Sequence, residues 1–169
     1  MSSSLSETVD VTACVLADAF AILERERPNG LARTRRQLAG LRVRLQIDAE
    51  PPFVVAFTDA AIEIVRASIH AVTSARGEVD ARIYASKQVI LDILDAELTL
   101  AEAVLQERVQ AIASLAVLET LRAGLITCTN AAVRADSTPA LLRRFRSVAE
   151  TTSASSLSSG ARTQGRLST

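Results

Sequence analysis

The sequence predicts an all-α protein with an antiparallel four-helix-bundle-like core, a short β segment near 52–57 and a disordered C-terminal tail. Three observations lead there. Apolar residues make up 49% of the 169, with only four prolines and six glycines, a composition that favours a compact helical body. Apolar positions recur at spacings of three and four along most of the chain. After Glu150 the composition turns to Ser, Thr, Ala, Gly and Arg, and Leu157 and Leu167 are too few to bury surface and order it. The expected organisation is therefore a helical bundle domain over 1–150 and a Ser/Thr-rich tail over 151–169.

The elements follow in order. Ser4 and Glu7 have capping-box spacing, and Val11, Val15, Ala19 and Ile22 continue at helical intervals, so a first helix is expected over about 5–26. Pro28-Asn29-Gly30 is expected to stop it. A second helix carries Leu31, Thr34, Leu38, Leu41 and Leu45 as one stripe, with arginines on its flanks and back. Asp48 to Pro52 is a breaker, and Phe53 to Phe57 is β-prone. Thr58-Asp59 caps a third helix with Ile62, Val65, Ile69 and Val72 on its core side, ending near Gly77. From 80 to 134 there is no proline; Thr99 and Glu102 repeat the capping-box spacing and divide the stretch into a fourth helix over 81–97 and a fifth over 99–127. Thr138-Pro139 opens a last short helix with proline at its first position.

Eighteen of the nineteen basic residues are arginine, and Arg33, Arg35, Arg36, Arg42 and Arg44 fall within twelve residues that hold no acid. Guanidinium is planar, permanently charged and able to bind phosphate oxygens in pairs, which suits a fixed anion contact; a G+C-rich gene would enrich arginine equally well. Nineteen acids balance the nineteen bases, so attraction to a polyanion would have to come from local placement of arginines. Residues 1–20 carry three acids and no base, and no uncharged apolar run is long enough to span a bilayer, so an intracellular, soluble protein without a membrane partner is expected. Cys14 and Cys128 read as two small buried thiols.

No enzyme is expected. The single histidine, His70, has no motif around it, Cys14, Cys128 and His70 lack metal-ligand spacing, and the glycines form neither a phosphate-loop nor a dinucleotide pattern. No catalytic residue, cofactor or metal is therefore assigned. Glu78 and Asp80 share a short turn with Arg76 and Arg82. Packing copies side by side would bring these acids together, making them candidate assembly carboxylates.

Ala32-Arg33-Thr34 followed by Gln37, the proline-containing segment Pro51 to Phe57, the turn Ser74-Ala75-Arg76-Gly77-Glu78, and a later helix with Arg108, Arg122 and Asn130 together resemble the coat proteins of rod-shaped, tobacco-mosaic-like plant viruses over about residues 15–136. Val133-Arg134 stands where that family has Phe-Glu. The resemblance implies a capsid protein that assembles with copies of itself into helical rods around single-stranded RNA. Arg33, Arg76, Arg82 and Arg108 would be RNA phosphate contacts, and the protein would be found in the virion and host cytoplasm. The alternative is a helical interaction or regulatory adaptor that dimerises in a bacterial cytoplasm and has no RNA role.

Overall fold

Alternation of side chains, rather than helical spacing, governs much of the chain. A computed structural model describes residues 11–48, 50–66 and 79–147 and shows a mixed α/β protein. Five strands, β1 (Arg42–Ile47), β2 (Phe53–Phe57), β3 (Ile62–Arg66), β4 (Ala81–Ala85) and β5 (Val109–Ala113), form one sheet. Around it lie α1 (Val11–Glu26), α2 (Pro28–Leu38), α3 (Lys87–Leu94), α4 (Leu100–Leu105) and α5 (Leu115–Ala132), followed by α6 over 138–147. The strand order is β3-β2-β1-β4-β5. Central β1 runs antiparallel to β2, with Val43 opposite Val55, and parallel to β4, with Val43 opposite Ala81.

The expected all-α, four-helix-bundle architecture is therefore wrong, and the reason is visible in the spacings. Residues four apart share a face in a strand as they do in a helix, so Leu41 and Leu45 fit both periods. The deciding signal is Val43 and Ile47, which are buried and alternate with Arg42, Arg44 and Gln46. In β3, Ile62 and Ile64 face inward while Val65, assigned to a helical core stripe, is 54% exposed. In β5, which lies within the expected fifth helix, Val109 is buried and Ile112 is 55% exposed. The expected second, third, fourth and fifth helices each contain a strand. The first helix does end at Glu26 as expected, and Pro28-Asn29-Gly30 forms the first turn of α2, with proline at its tolerated position. The Phe53–Phe57 strand does form, and Thr99 and Glu102 make the capping box, with Thr99 accepting from the Glu102 amide and Glu102 from the Thr99 amide. The Ser4–Glu7 box, the far half of the third helix and the 151–169 tail lie outside the described residues.

Two local devices turn the sequence into this sheet. Gly40 ends α2 with φ +86, a conformation that costs other residues strain. Its amide donates to Phe57 O at 2.8 Å, which joins the entry of β1 to the end of β2. The β1–β2 turn in turn holds two helices: Asp48 accepts from the Lys87 amide (3.0 Å), and Glu50 accepts from the Thr12 amide (3.2 Å) and pairs with the Lys87 ammonium at 2.6 Å. Both side chains of that pair are largely buried, so either partner alone would be an uncompensated buried charge.

One face of the sheet is covered. Val43, Ile47, Phe53, Val55, Phe57 and Ala81 pack against Ala13 of α1, Leu38 of α2 and Leu121 of α5. A smaller cluster, Val89, Leu98, Ala103 and Val109, joins α3 and α4 to β5. Alternation puts Arg44, Arg82 and Ile112 in one row across the other face.

Candidate functional site

On the covered face, α1 and α2 do not close completely onto the edge strand β3. Alpha-helical spacing in α1 turns Leu16, Phe20 and Leu23 inward and leaves Ala17 and Ala21 beside them as a low wall. Leu31, Thr34 and Leu38 bury one face of α2; the Thr34 hydroxyl is satisfied by donating to Gly30 O at 3.2 Å. Arg35 then falls at the flank nearest β3. The β2–β3 turn is fixed by Thr58, whose hydroxyl accepts from the Ala61 amide at 2.9 Å and whose own amide donates to Ala61 O. That turn sets Ile62 and Ile64 facing the helices.

The result is a cleft of about 410 Å³ with Phe20, Leu31, Ile62 and Ile64 as its apolar lining and the small side chains of Ala17, Ala21, Ala60 and Ala61 around its mouth. Its volume lies within the range of small-molecule sites, which are mostly apolar with a few placed polar groups. The polar group here is Arg35. Its guanidinium lies 3.1 Å from a Glu24 carboxylate oxygen and donates to Ala60 O at 3.0 Å, which ties α1, α2 and the β2–β3 turn together across the opening. The Arg35 side chain is only 17% exposed, and its buried Nε has no hydrogen-bond partner among the described residues. A donor left unmade in such a place favours a ligand that brings an acceptor.

Of the residues singled out from the sequence, those that are described, Arg33, Asp80, Arg82 and Arg108, lie outside this cleft and are not gathered at one place. Arg33 is exposed on α2, on the covered side of the sheet, whereas Arg82 is exposed on β4 and points from the opposite face beside Arg44. Arg108 is paired with Asp92 at 2.6 Å. Donation from the Gln88 amide, and then from Arg108, holds the Asp92 carboxyl below its ordinary value. Asp80 accepts from the Arg42 amide at 2.7 Å, a contact that positions the start of β1. Arg76, Glu78 and His70 lie outside the described residues. Cys14 is exposed rather than buried; Cys128 is half-buried, and burial pushes its thiol pKa up, which disfavours the thiolate. Among the described residues no three His, Cys, Asp or Glu side chains gather to hold a metal, and no helix is long and apolar enough to cross a membrane. Sequence reasoning missed the cleft because its lining comes from three elements, one of them a strand assigned to a helix. The alternating Ile62-Glu63-Ile64 is the one signal that would have pointed to it.

No protein-family model and no curated protein matches the sequence. Solved structures do match the fold. A UbiJ-SCP2 ubiquinone synthesis protein superposes with TM-score 0.52 at 16% identity, over 72% of this chain and 90% of that one. The sterol carrier protein domain 2 of Helicoverpa armigera superposes with TM-score 0.50 at 14% identity, over 79% of this chain and 97% of that one. At such identities the likeness is one of fold. It overturns the coat-protein resemblance: the short Ala32-Arg33-Thr34 run does lie in α2, but the structure around it is a five-stranded sheet with the architecture of these two proteins. The capsid, virion and RNA expectations go with it, as does the expected partnership with copies of itself in helical rods around single-stranded RNA. The helical adaptor alternative loses its bundle in the same way.

Proposed function

We propose that this chain is a non-catalytic carrier domain that holds a small, mainly apolar ligand of the lipid class in the cleft between α1, α2 and β3. The observation that carries this reading is the cleft itself: apolar on its floor, roofed by the half-buried Arg35, and formed where the helix layer meets the edge of the sheet. A carrier needs enclosure of apolar surface and one polar handle to orient the ligand, and it needs no nucleophile or base. The names of the two proteins of like fold, a sterol carrier domain and a ubiquinone synthesis protein, favour the same ligand class.

Displacement of a fluorescent fatty acid tests the proposal. Ala17→Trp places an indole at an exposed wall position and should weaken probe affinity at least about tenfold, a loss of roughly 1.4 kcal/mol, with the melting temperature unchanged. Saturable binding that is indifferent to Ala17→Trp would move the ligand to another part of the molecule. No saturable binding of fatty acid, sterol or quinone probes would remove the carrier reading.

A further inference from the structure

A second cleft, of about 520 Å³, opens on the opposite flank of α2, where its first turn meets the end of α5. Three guanidiniums from three positions surround it: Arg27 between α1 and α2, Arg33 one turn into α2, and Arg134 just beyond α5. Arg27 is fixed, because its Nε donates to Arg134 O at 2.8 Å and its Nη2 to the same carbonyl. Arg33 and Arg134 are exposed, and neither guanidinium has a hydrogen bond or ion pair among the described residues.

The one acid lining the cleft does not cancel them. Glu26 is already engaged by the Ser137 amide (3.2 Å), the Ser137 hydroxyl and Arg25 (3.0 Å). Asn29 and Asn130 add neutral donors. The first turn of α2 has no side-chain cap, so its dipole adds to the same positive potential. One guanidinium suffices for the two oxygens of a carboxylate, whereas a phosphate offers three or more and can engage several at once.

We propose that this cleft binds a phosphomonoester or diphosphate group through Arg33 and Arg134, with Arg27 as its fixed wall. The group belongs either to a soluble phosphate compound or to a lipid headgroup at a membrane surface. Both offer the same chemistry, and the test separates them. Inorganic pyrophosphate is titrated into the full chain by calorimetry, with amide shifts followed at Gly30 and Asn130. In parallel, the protein is sedimented with phosphatidylcholine vesicles with and without phosphatidic acid. Each is repeated with the R33Q/R134Q double variant and with R36Q, a neighbouring exposed arginine of α2 outside the cleft.

Pyrophosphate saturation that shifts Gly30 and Asn130 and weakens about tenfold per arginine removed supports the site and a soluble ligand. Sedimentation that requires phosphatidic acid and is lost in the double variant, without pyrophosphate saturation, supports the site and a headgroup. Binding of neither probe, or binding that R36Q weakens as much as the double variant does, overturns the proposal. Should the double variant melt early, R33Q alone carries the test, with a tenfold loss expected. Because Ala17→Trp lies on the other flank of α2, failure here and failure of the carrier reading are separate results.

Discussion

The two flanks of α2 meet their neighbours in opposite ways. Toward α5 the helices themselves touch beneath the arginine-lined cleft at their ends: a Cβ on Gly124 would sit 2.5 Å from Leu38 Cγ, and one on Gly30 would sit 2.7 Å from the Ala131 Cβ. Toward α1 and β3, four alanines line an open cleft. Small residues therefore have two uses in one layer. A missing side chain brings two helix backbones together and seals a seam, and short side chains that face open space keep a cleft clear. The difference separates the contact that holds the helix layer together from the gap that keeps the apolar cleft open.

Breaking the sealed side should have the largest effect. Gly124→Val puts a branched side chain into the volume of Leu38 and should cost about 3 kcal/mol, measured by urea unfolding, because neither the buried leucine nor the helix backbone can move away freely. In a Leu38→Ala background the vacated volume should lower that cost by at least about 1 kcal/mol. Strict additivity of the two changes would mean that the seam is not the contact described.

The open side should be more forgiving. Phe53 is 1% exposed in the middle of the sheet, so Phe53→Ala should cost about 4 kcal/mol, whereas Phe20→Ala, which widens a cleft already present, should cost about 2 kcal/mol or less. Phe20→Ala should also change the affinity for apolar probes where Phe53→Ala, measured on the folded fraction, does not. Equal losses of stability would show that Phe20 is ordinary core.

The smallest effect at neutral pH is electrostatic. Donation from Ser137, together with Arg25, lowers the Glu26 carboxyl from 4.5 to about 2. A carboxyl depressed on folding contributes stability above its unfolded value and loses it as pH falls through the folded one. The end of α1 and the turn into α6 should thus stay joined at pH 5 and loosen between about 4.5 and 2. Glu26→Gln should flatten the dependence of unfolding free energy on pH across that window. An unchanged slope would place the acid sensitivity in other carboxylates.

Much of what stops and starts elements was legible in the sequence, and their type was less so. The Thr99–Glu102 box, the β2 strand and the Pro139 helix could be read because each is a local arrangement of a few residues. The remaining strands could not, because β1 alternates its apolar residues with two arginines and a glutamine. Arginines on an exposed sheet face look the same in sequence as arginines on the outside of a helix. What decides between them is pairing: Arg44 lies beside Arg82, 38 positions away, a partnership that no local window contains. The cleft was hidden for the same reason. Phe20, Leu31 and Ile64 are ordinary apolar residues until the topology brings them to one place. The arginine cluster stands out in the sequence, but its members belong to three surfaces rather than one.

Lys87 is the only lysine in the chain, and its ammonium is enclosed with Glu50. The folded protein therefore offers acylating reagents, crosslinkers and conjugating enzymes no accessible lysine ε-amine at all. To reach it they must wait for the β1–β2 turn to lift away from α3, and every modified lysine is then a record of one opening of the molecule.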